Sequence, residues 1–169
     1  LFVRERGAPA RLMARMFQPT LCVWSPQGTF IACAAGNLLY AASGRTFGNK
    51  SPSMIVLSRV QDGALTAVTD SASLNQSPAW SPDGRWLYFV SDRDGPRDIY
   101  GIPITGDGRA GDRPIRLSTG LGAHTISLSA NGARLAYSRY TMQNSIWSLP
   151  LPTHPPVSSA GATQVTNSN

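Results

Sequence analysis

The chain has 169 residues, 15 basic and 9 acidic side chains, a net charge of +6 and an isoelectric point near 10.0. Lys50 is the only lysine and Glu5 the only glutamate, so the residues that usually populate exposed helix faces are nearly missing and a helical bundle is excluded. Hydrophobic residues at 41% suffice for a core, no apolar run approaches the roughly 20 residues of a membrane-spanning helix, and the first residues lack the apolar stretch of a secretory signal. In chain order, Leu1-Phe2-Val3 and Arg11-Leu12-Met13 read as two short strands. Cys22-Val23-Trp24-Ser25-Pro26-Gln27-Gly28-Thr29-Phe30-Ile31-Ala32-Cys33 then reads as strand, turn, strand. It returns as Pro78-Ala79-Trp80-Ser81-Pro82-Asp83-Gly84-Arg85-Trp86-Leu87-Tyr88-Phe89-Val90, and more weakly from Ile126 through Asn131-Gly132 to Tyr137.

The turn glycines Gly28, Gly84 and Gly132 are spaced by 56 and 48 residues, near the 40 to 50 of a four-stranded propeller blade. Pro presets φ at the first turn position, Asp or Asn is tolerated next, and Gly accepts positive φ. Third strands are expected at 54–57, 98–101 and 145–148, and fourth strands at 65–69, 114–118 and 162–166, separated by clusters such as Gln61-Asp62-Gly63. The expected fold is all-β: a β-propeller fragment of four-stranded antiparallel blades. Residues 1–19 form the end of a preceding blade, and 20–69, 70–118 and 119–169 form one blade each. The chain begins without Met and is expected to be a segment of a longer protein. Three blades do not close a ring, so the isolated segment is also expected to self-associate through open sheet faces.

At Trp80-Ser81-Pro82-Asp83-Gly84, Ser91-Asp92-Arg93-Asp94-Gly95 and Asp98-Ile99-Tyr100 the sequence resembles the TolB-like, WD-repeat-like β-propeller family. The first copy keeps Trp24-Ser25-Pro26 and Gly28 but has Gln27 at the acidic turn position; the third keeps Ser129, Asn131 and Gly132. Related propellers include periplasmic TolB, the gating domain of prolyl-oligopeptidase-type serine peptidases, and sensor regions of bacterial kinases and regulators. The resemblance implies a noncatalytic protein-interaction or ligand-sensing propeller of a larger bacterial protein, extracytoplasmic if it is TolB-type. The competing expectation is a gating segment of a peptidase whose catalytic domain lies elsewhere. Fold by itself does not choose between them.

Asp92, Asp94 and Asp98 invite a calcium reading, but Gly95 comes too early for an EF-hand and Pro103 stands where its terminal Glu belongs. Turn capping and an Arg93 pairing account for the same carboxylates. No cofactor or metal is expected. The only histidines are His124, just before an inner strand, and His154, in a Pro-rich loop; no Gly-x-Ser-x-Gly elbow occurs. No catalytic constellation is expected in this segment. Cys22 and Cys33 flank the first turn on adjacent strands. A bridge is geometrically open but not implied, and their apolar neighbours read them first as small buried hydrophobes.

The arginines are dispersed without an aromatic-interleaved stripe, so nucleic acid is not the expected partner, and the Trp and Tyr residues read as core before ligand platform. Propeller geometry places the loop before each first strand and the loop between second and third strands on one face. That face gathers Arg45, Asn49 and Lys50 from the long 35–53 insertion, Asn75 and Gln76, then Asp92, Arg93, Asp94 and Arg97, and finally Ala123 and His124. It is the expected rim for a protein or peptide partner.

Overall fold

The computed structural model describes residues 1–40, 51–139, 145–150 and 159–166. β1 (Phe2–Val3) pairs with β2 (Arg11–Leu12). β3 (Pro19–Trp24), β4 (Phe30–Ala35), β5 (Met54–Arg59) and β6 (Leu65–Ala67) form one four-stranded antiparallel sheet in sequential order. A second such sheet is formed by β7 (Asn75–Trp80), β8 (Trp86–Ser91), β9 (Asp98–Pro103) and β10 (Ile115–Arg116). β11 (Ala123–Leu128) pairs with β12 (Leu135–Arg139), and β13 (Trp147–Ser148) with β14 (Thr163–Gln164). Short 3-10 turns at Leu38–Tyr40 and Ser159–Gly161 are the helical elements among the described residues. The chain is all-β, and β3, β7 and β11, the first strands of the three copies, stand side by side.

The turn after each first strand is built from the same atoms three times. The N–H of Phe30, Trp86 or Arg134 donates to the hydroxyl of Ser25, Ser81 or Ser129 at 2.9 to 3.0 Å. Gly28, Gly84 and Gly132 close the loop at φ of 69°, 70° and 70°, a region open to Gly without a Cβ penalty. Asp83 and Asn131 accept both the Ser hydroxyl and an N–H two residues onward. Gln27, which replaces the acidic residue in the first copy, turns outward and donates to the Asp83 carbonyl of the next copy at 2.8 Å. It lies so close that a Cβ on Gly84 would sit 2.3 Å from its amide oxygen.

A second repeated feature joins third and fourth strands. The N–H groups of Ile55, Ile99 and Ile146 each donate 2.9 Å to a hydroxyl, on Thr69, Ser118 and Thr166. In return Val68, Leu117 and Val165 each donate to the carbonyl of the same isoleucine at 2.8 Å. The equivalence extends across the third copy, although its four strands fall into two separate pairs among the described residues.

Alternation along the strands sends opposite faces into different packing layers. Phe30, Ala32, Ala34, Ile55 and Leu57 of the first sheet meet Leu87, Phe89, Tyr100 and Ile102 of the second, with Trp80 closing the cluster. Ile31 and Cys33 point the other way, against Leu1, Val3, Met13 and Met16. Ala79, Val90 and Ile99 of the second sheet meet Ala123 and Ile126 of β11.

Three expectations are revised. Trp80 is core at 8% exposure, but Trp24 and Trp147 are 52% and 58% exposed; Trp24 shares the Ile31 face of its sheet, against which only the short β1–β2 region packs among the described residues. Cys22 and Cys33 form a disulfide across β3 and β4 instead of acting as separate hydrophobes. Register explains it, since the pairs on either side, Thr20↔Ala34 and Val23↔Ala32, place the two cysteines opposite one another. The short strands are also trimmed: β10 and β14 each hold only two residues, because their continuation bonds to the isoleucine in a strand-end clasp.

Candidate functional site

Asp98 opens β9 with no exposed surface. Its carboxylate accepts from the Arg116 guanidinium, the Ser118 hydroxyl (3.1 Å), and the N–H groups of Gly120 (3.0 Å) and Leu121 (2.9 Å). Burial alone would raise its pKa, but the hydrogen bonds from Arg116, Leu121, Gly120 and Ser118 outweigh that and hold it below the ordinary carboxylate value. Its work is to pin the link from β10 to β11 onto β9.

The preceding loop spreads its charges among separate partners. Asp92 accepts the Leu74 N–H at 2.9 Å. Asp94 accepts the Tyr100 hydroxyl at 2.9 Å, and burial, then this carboxylate, push the Tyr100 phenol up to about 12. Arg93 reaches back to Asp70 at 3.3 Å and lies 5.8 Å over the Tyr100 ring. The three aspartates therefore diverge, and among the described residues no group of three His, Cys, Asp or Glu side chains is arranged to hold a metal.

Arg97 and His124 are brought together, with Arg97 Nη1 3.3 Å from His124 Nδ1. Tyr40 joins them: its ring lies 4.5 Å from the imidazole, its hydroxyl donates to the His124 carbonyl, and Arg97 sits 5.3 Å over its ring. Burial, and then the Arg97 charge, hold the His124 pKa below the ordinary imidazole value. Burial raises the Tyr40 phenol in spite of Arg97.

Asn75 and Gln76 begin β7 and are both fully buried. Asn75 Nδ2 donates to the carbonyls of Ser53, Ser73 and Asp70, and Ser53 exchanges hydrogen bonds with the Asn75 backbone. Among the described residues, Asn75 Oδ1 and both amide atoms of Gln76 have no hydrogen-bond partner. Gln76 and His124 occupy equivalent positions four residues before Trp80 and Leu128, and Thr20 is their counterpart before Trp24.

Arg45, Asn49, Lys50 and His154 lie outside the described residues. Sequence reasoning missed Tyr40 and Ser53; a signal was present, since both belong to the long 35–53 insertion between β4 and β5. A surface groove of about 500 Å³ lies elsewhere, between Met16 and Phe17 and the outward face of β5 and β6. Met54, Val56, Leu65 and Ala67 line it, with Arg15 as its one titratable group among the described residues.

Sheets stacked face to face, with their first strands side by side and a repeated turn at one end of each, define the β-propeller class. No protein-family model matches the chain. The Tol-Pal system protein TolB of Syntrophus aciditrophicus is 47% identical over 51 residues, which are 30% of this chain and 11% of that protein. The structure of a candidate TolB from Agrobacterium tumefaciens superposes with a TM-score of 0.61 at 22% identity, over 85% of this chain and 47% of that one. A candidate 6-phosphogluconolactonase from Bacteroides fragilis superposes at 0.52 with 17% identity, over 92% of this chain and 40% of that one, which shows a shared fold. The fold is that of a β-propeller, and over part of its length the sequence is similar to TolB. The chain spans less than half the length of these relatives.

Proposed function

We propose that the chain is a noncatalytic interaction or ligand-sensing propeller segment that presents the rim of Asp92, Arg93, Asp94, Arg97 and His124 to a protein or peptide partner. The observation that carries this reading lies at the start of β7. Among the described residues, a fully buried amide, Gln76, has neither its donor nor its acceptor used, and Asn75 Oδ1 beside it is also unpartnered. Leaving such groups unsatisfied costs about 1–3 kcal/mol each, and the peptide group of a segment that displaces their cover offers the matching donor and acceptor. Relatives named for the Tol-Pal system support an assembly role. The exchange of Asp92, Asp94 and Asp98 into structural contacts, and of His124 into a contact with Arg97, supports a role without catalysis.

Residues 20–69, 70–118 and 119–169 are proposed as three blades, supported by the thrice-repeated turn and isoleucine clasp. The Cys22–Cys33 bridge supports an oxidising, extracytoplasmic compartment, where disulfides persist. Peptides selected from a random display library against the chain, mapped by amide shift perturbation, test the reading. The expected perturbations fall at Gln76, residues 92–97 and His124, and Gln76→Leu weakens binding at least about tenfold, or 1.4 kcal/mol. Peptides that map to the groove beside Phe17, with affinity indifferent to Gln76→Leu, would sink it.

A further inference from the structure

Each first strand carries an irregularity near its start, between Thr20 and Val23, Gln76 and Ala79, and Ala123 and Thr125. The three copies hold it in three different ways. In the second copy Ser77 takes a φ of 53° and its hydroxyl accepts the Ile126 N–H at 2.9 Å, which ties the bulge to the next copy. In the third, the Thr125 N–H donates to the Ser138 hydroxyl at 3.1 Å, and the two hydroxyls lie 2.7 Å apart. The first copy can form neither contact. Leu21, the counterpart of Ser77, has no hydroxyl, and Pro78, the counterpart of Ile126, has no N–H to give. Leu21 nevertheless keeps φ at 46°, a left-handed conformation in which its Cβ crowds the following carbonyl. The Thr20 hydroxyl reaches the Ala34 carbonyl only at 3.5 Å. One residue beyond Leu21, the Cys22–Cys33 disulfide joins β3 to β4.

We propose that Cys22–Cys33 is a redox-operated clamp on the start of β3, opened by a dithiol reductant and closed again by a disulfide oxidant. The two sulfurs differ in access: Cys22 is exposed, and Cys33 has no exposed surface. An incoming thiolate therefore attacks Sγ of Cys22. A mixed disulfide forms there as the Cys22–Cys33 bond breaks, and Cys33 leaves as a thiolate that takes a proton from water. The second thiol of the reductant, giving up its proton, then displaces Cys22 as a thiol and departs with the first as an oxidised disulfide, so the protein gains two electrons and two protons. Cys33 is released among Leu1, Val3, Met13, Met16 and Ile31, an apolar setting that keeps it a neutral thiol. With the bond open, Leu21 relaxes towards extended backbone and the start of β3 loses its covalent tie to β4. Gln18, whose carbonyl accepts the Gly36 N–H at 3.4 Å, follows it, and so does Phe17 on the wall of the groove. The bulges of the other two copies, held by hydroxyls, do not respond. This inference does not depend on the rim binding a partner.

The test is made on the whole chain. Dithiothreitol is added without denaturant, and the thiols are trapped with iodoacetamide; mass spectrometry is expected to find Cys22 alkylated ahead of Cys33. Hydrogen exchange of the oxidised and reduced proteins is then compared. Protection at 20–23 and 32–35 should fall on reduction at least about tenfold, or 1.4 kcal/mol, while 76–80 and 123–128 stay level. Oxidised glutathione should restore it. Leu21→Gly, which holds positive φ without a Cβ, should lose less protection on reduction than wild type. A bridge that dithiothreitol opens only in urea, or unchanged protection once both thiols are free, overturns the clamp. Loss of protection in all three copies also overturns it, since the bond would then be a staple for the whole fold. An undiminished loss in Leu21→Gly counts against it in the same way, and if that variant does not fold the wild-type comparison still decides.

Discussion

The second and third copies of the repeat share a pattern and differ in how deeply it is buried. Leu87 and Phe89 on β8 have no exposed surface, whereas their counterparts Leu135 and Tyr137 on β12 are 38% and 46% exposed. Tyr100 on β9 is 1% exposed, and its counterpart Trp147 on β13 is 58% exposed. β8 is hydrogen-bonded along both edges and packed on the first sheet, while β12 is paired along one edge among the described residues. Apolar alternation thus marks a face as able to be buried; burial itself is supplied by neighbours.

The anchor at the start of the third strand differs too. Asp98 takes a charged bond from Arg116 and three further donors, while its counterpart Ser145 takes one neutral bond from Gln164, at 2.9 Å. A buried carboxylate gathers donors from several segments at once, and a serine holds one. The second copy therefore organises the chain around itself.

The comparison is tested most sharply by truncating matched aromatics. Phe89→Ala should cost about 3–5 kcal/mol in urea unfolding, and Tyr137→Ala under about 1 kcal/mol, in keeping with its exposure. Equal losses would show that both strands are core in solution. Trp80→Ala belongs with the larger class, and near-wild-type stability would remove it from the core.

Next in size is the anchor pair. Asp98→Ala should cost about 2–4 kcal/mol, below the range for a fully buried ion pair because the Arg116 side chain keeps 30% of its surface. Ser145→Ala should stay within about 0.5 kcal/mol. The lowered pKa of Asp98 fixes the sign of the pH effect. Its stabilisation is present above the unfolded value near 3.8 and is lost as pH falls through the lower folded one. Asp98→Asn should therefore flatten acid unfolding below about pH 4 relative to wild type; parallel acid limbs would assign that loss to other carboxylates.

The smallest expected effect concerns the turns that join the copies. Gln27→Ala removes one exposed hydrogen bond to Asp83 and should cost about 0.5 kcal/mol or less. It also vacates the space over Gly84, so that Gly84→Ala should be less damaging in the Gln27→Ala background than alone, as read from a double-mutant cycle. Additive losses would mean that backbone strain at positive φ, not contact with Gln27, governs that glycine.

The repeat, its turns and the order of strands were legible because they rest on local chemistry: Ser, Pro and Gly at fixed offsets close the same turn wherever they occur. Gln27 looked like a lapse from the motif, and its bond to the following copy became visible only with both turns in place. The 92–98 carboxylates were legible as loop caps, but their partners at Leu74, Tyr100 and the 118–121 link were not. Those contacts depend on how segments far apart in sequence converge. The rim was placed from strand order, yet the burial of Asn75, Gln76 and Arg97 and the arrival of Tyr40 needed the stacked sheets.

By itself the sequence determined the period, the turn geometry and the alternation of faces, because each is settled within a few consecutive residues by φ preference and side-chain period. Only the tertiary structure decided which faces become core, which carboxylate becomes a buried anchor, and that a histidine from one copy meets an arginine and a tyrosine from two others. Burial and hydrogen bonding depend on what arrives from elsewhere in the chain, and that is set by the packing of whole sheets.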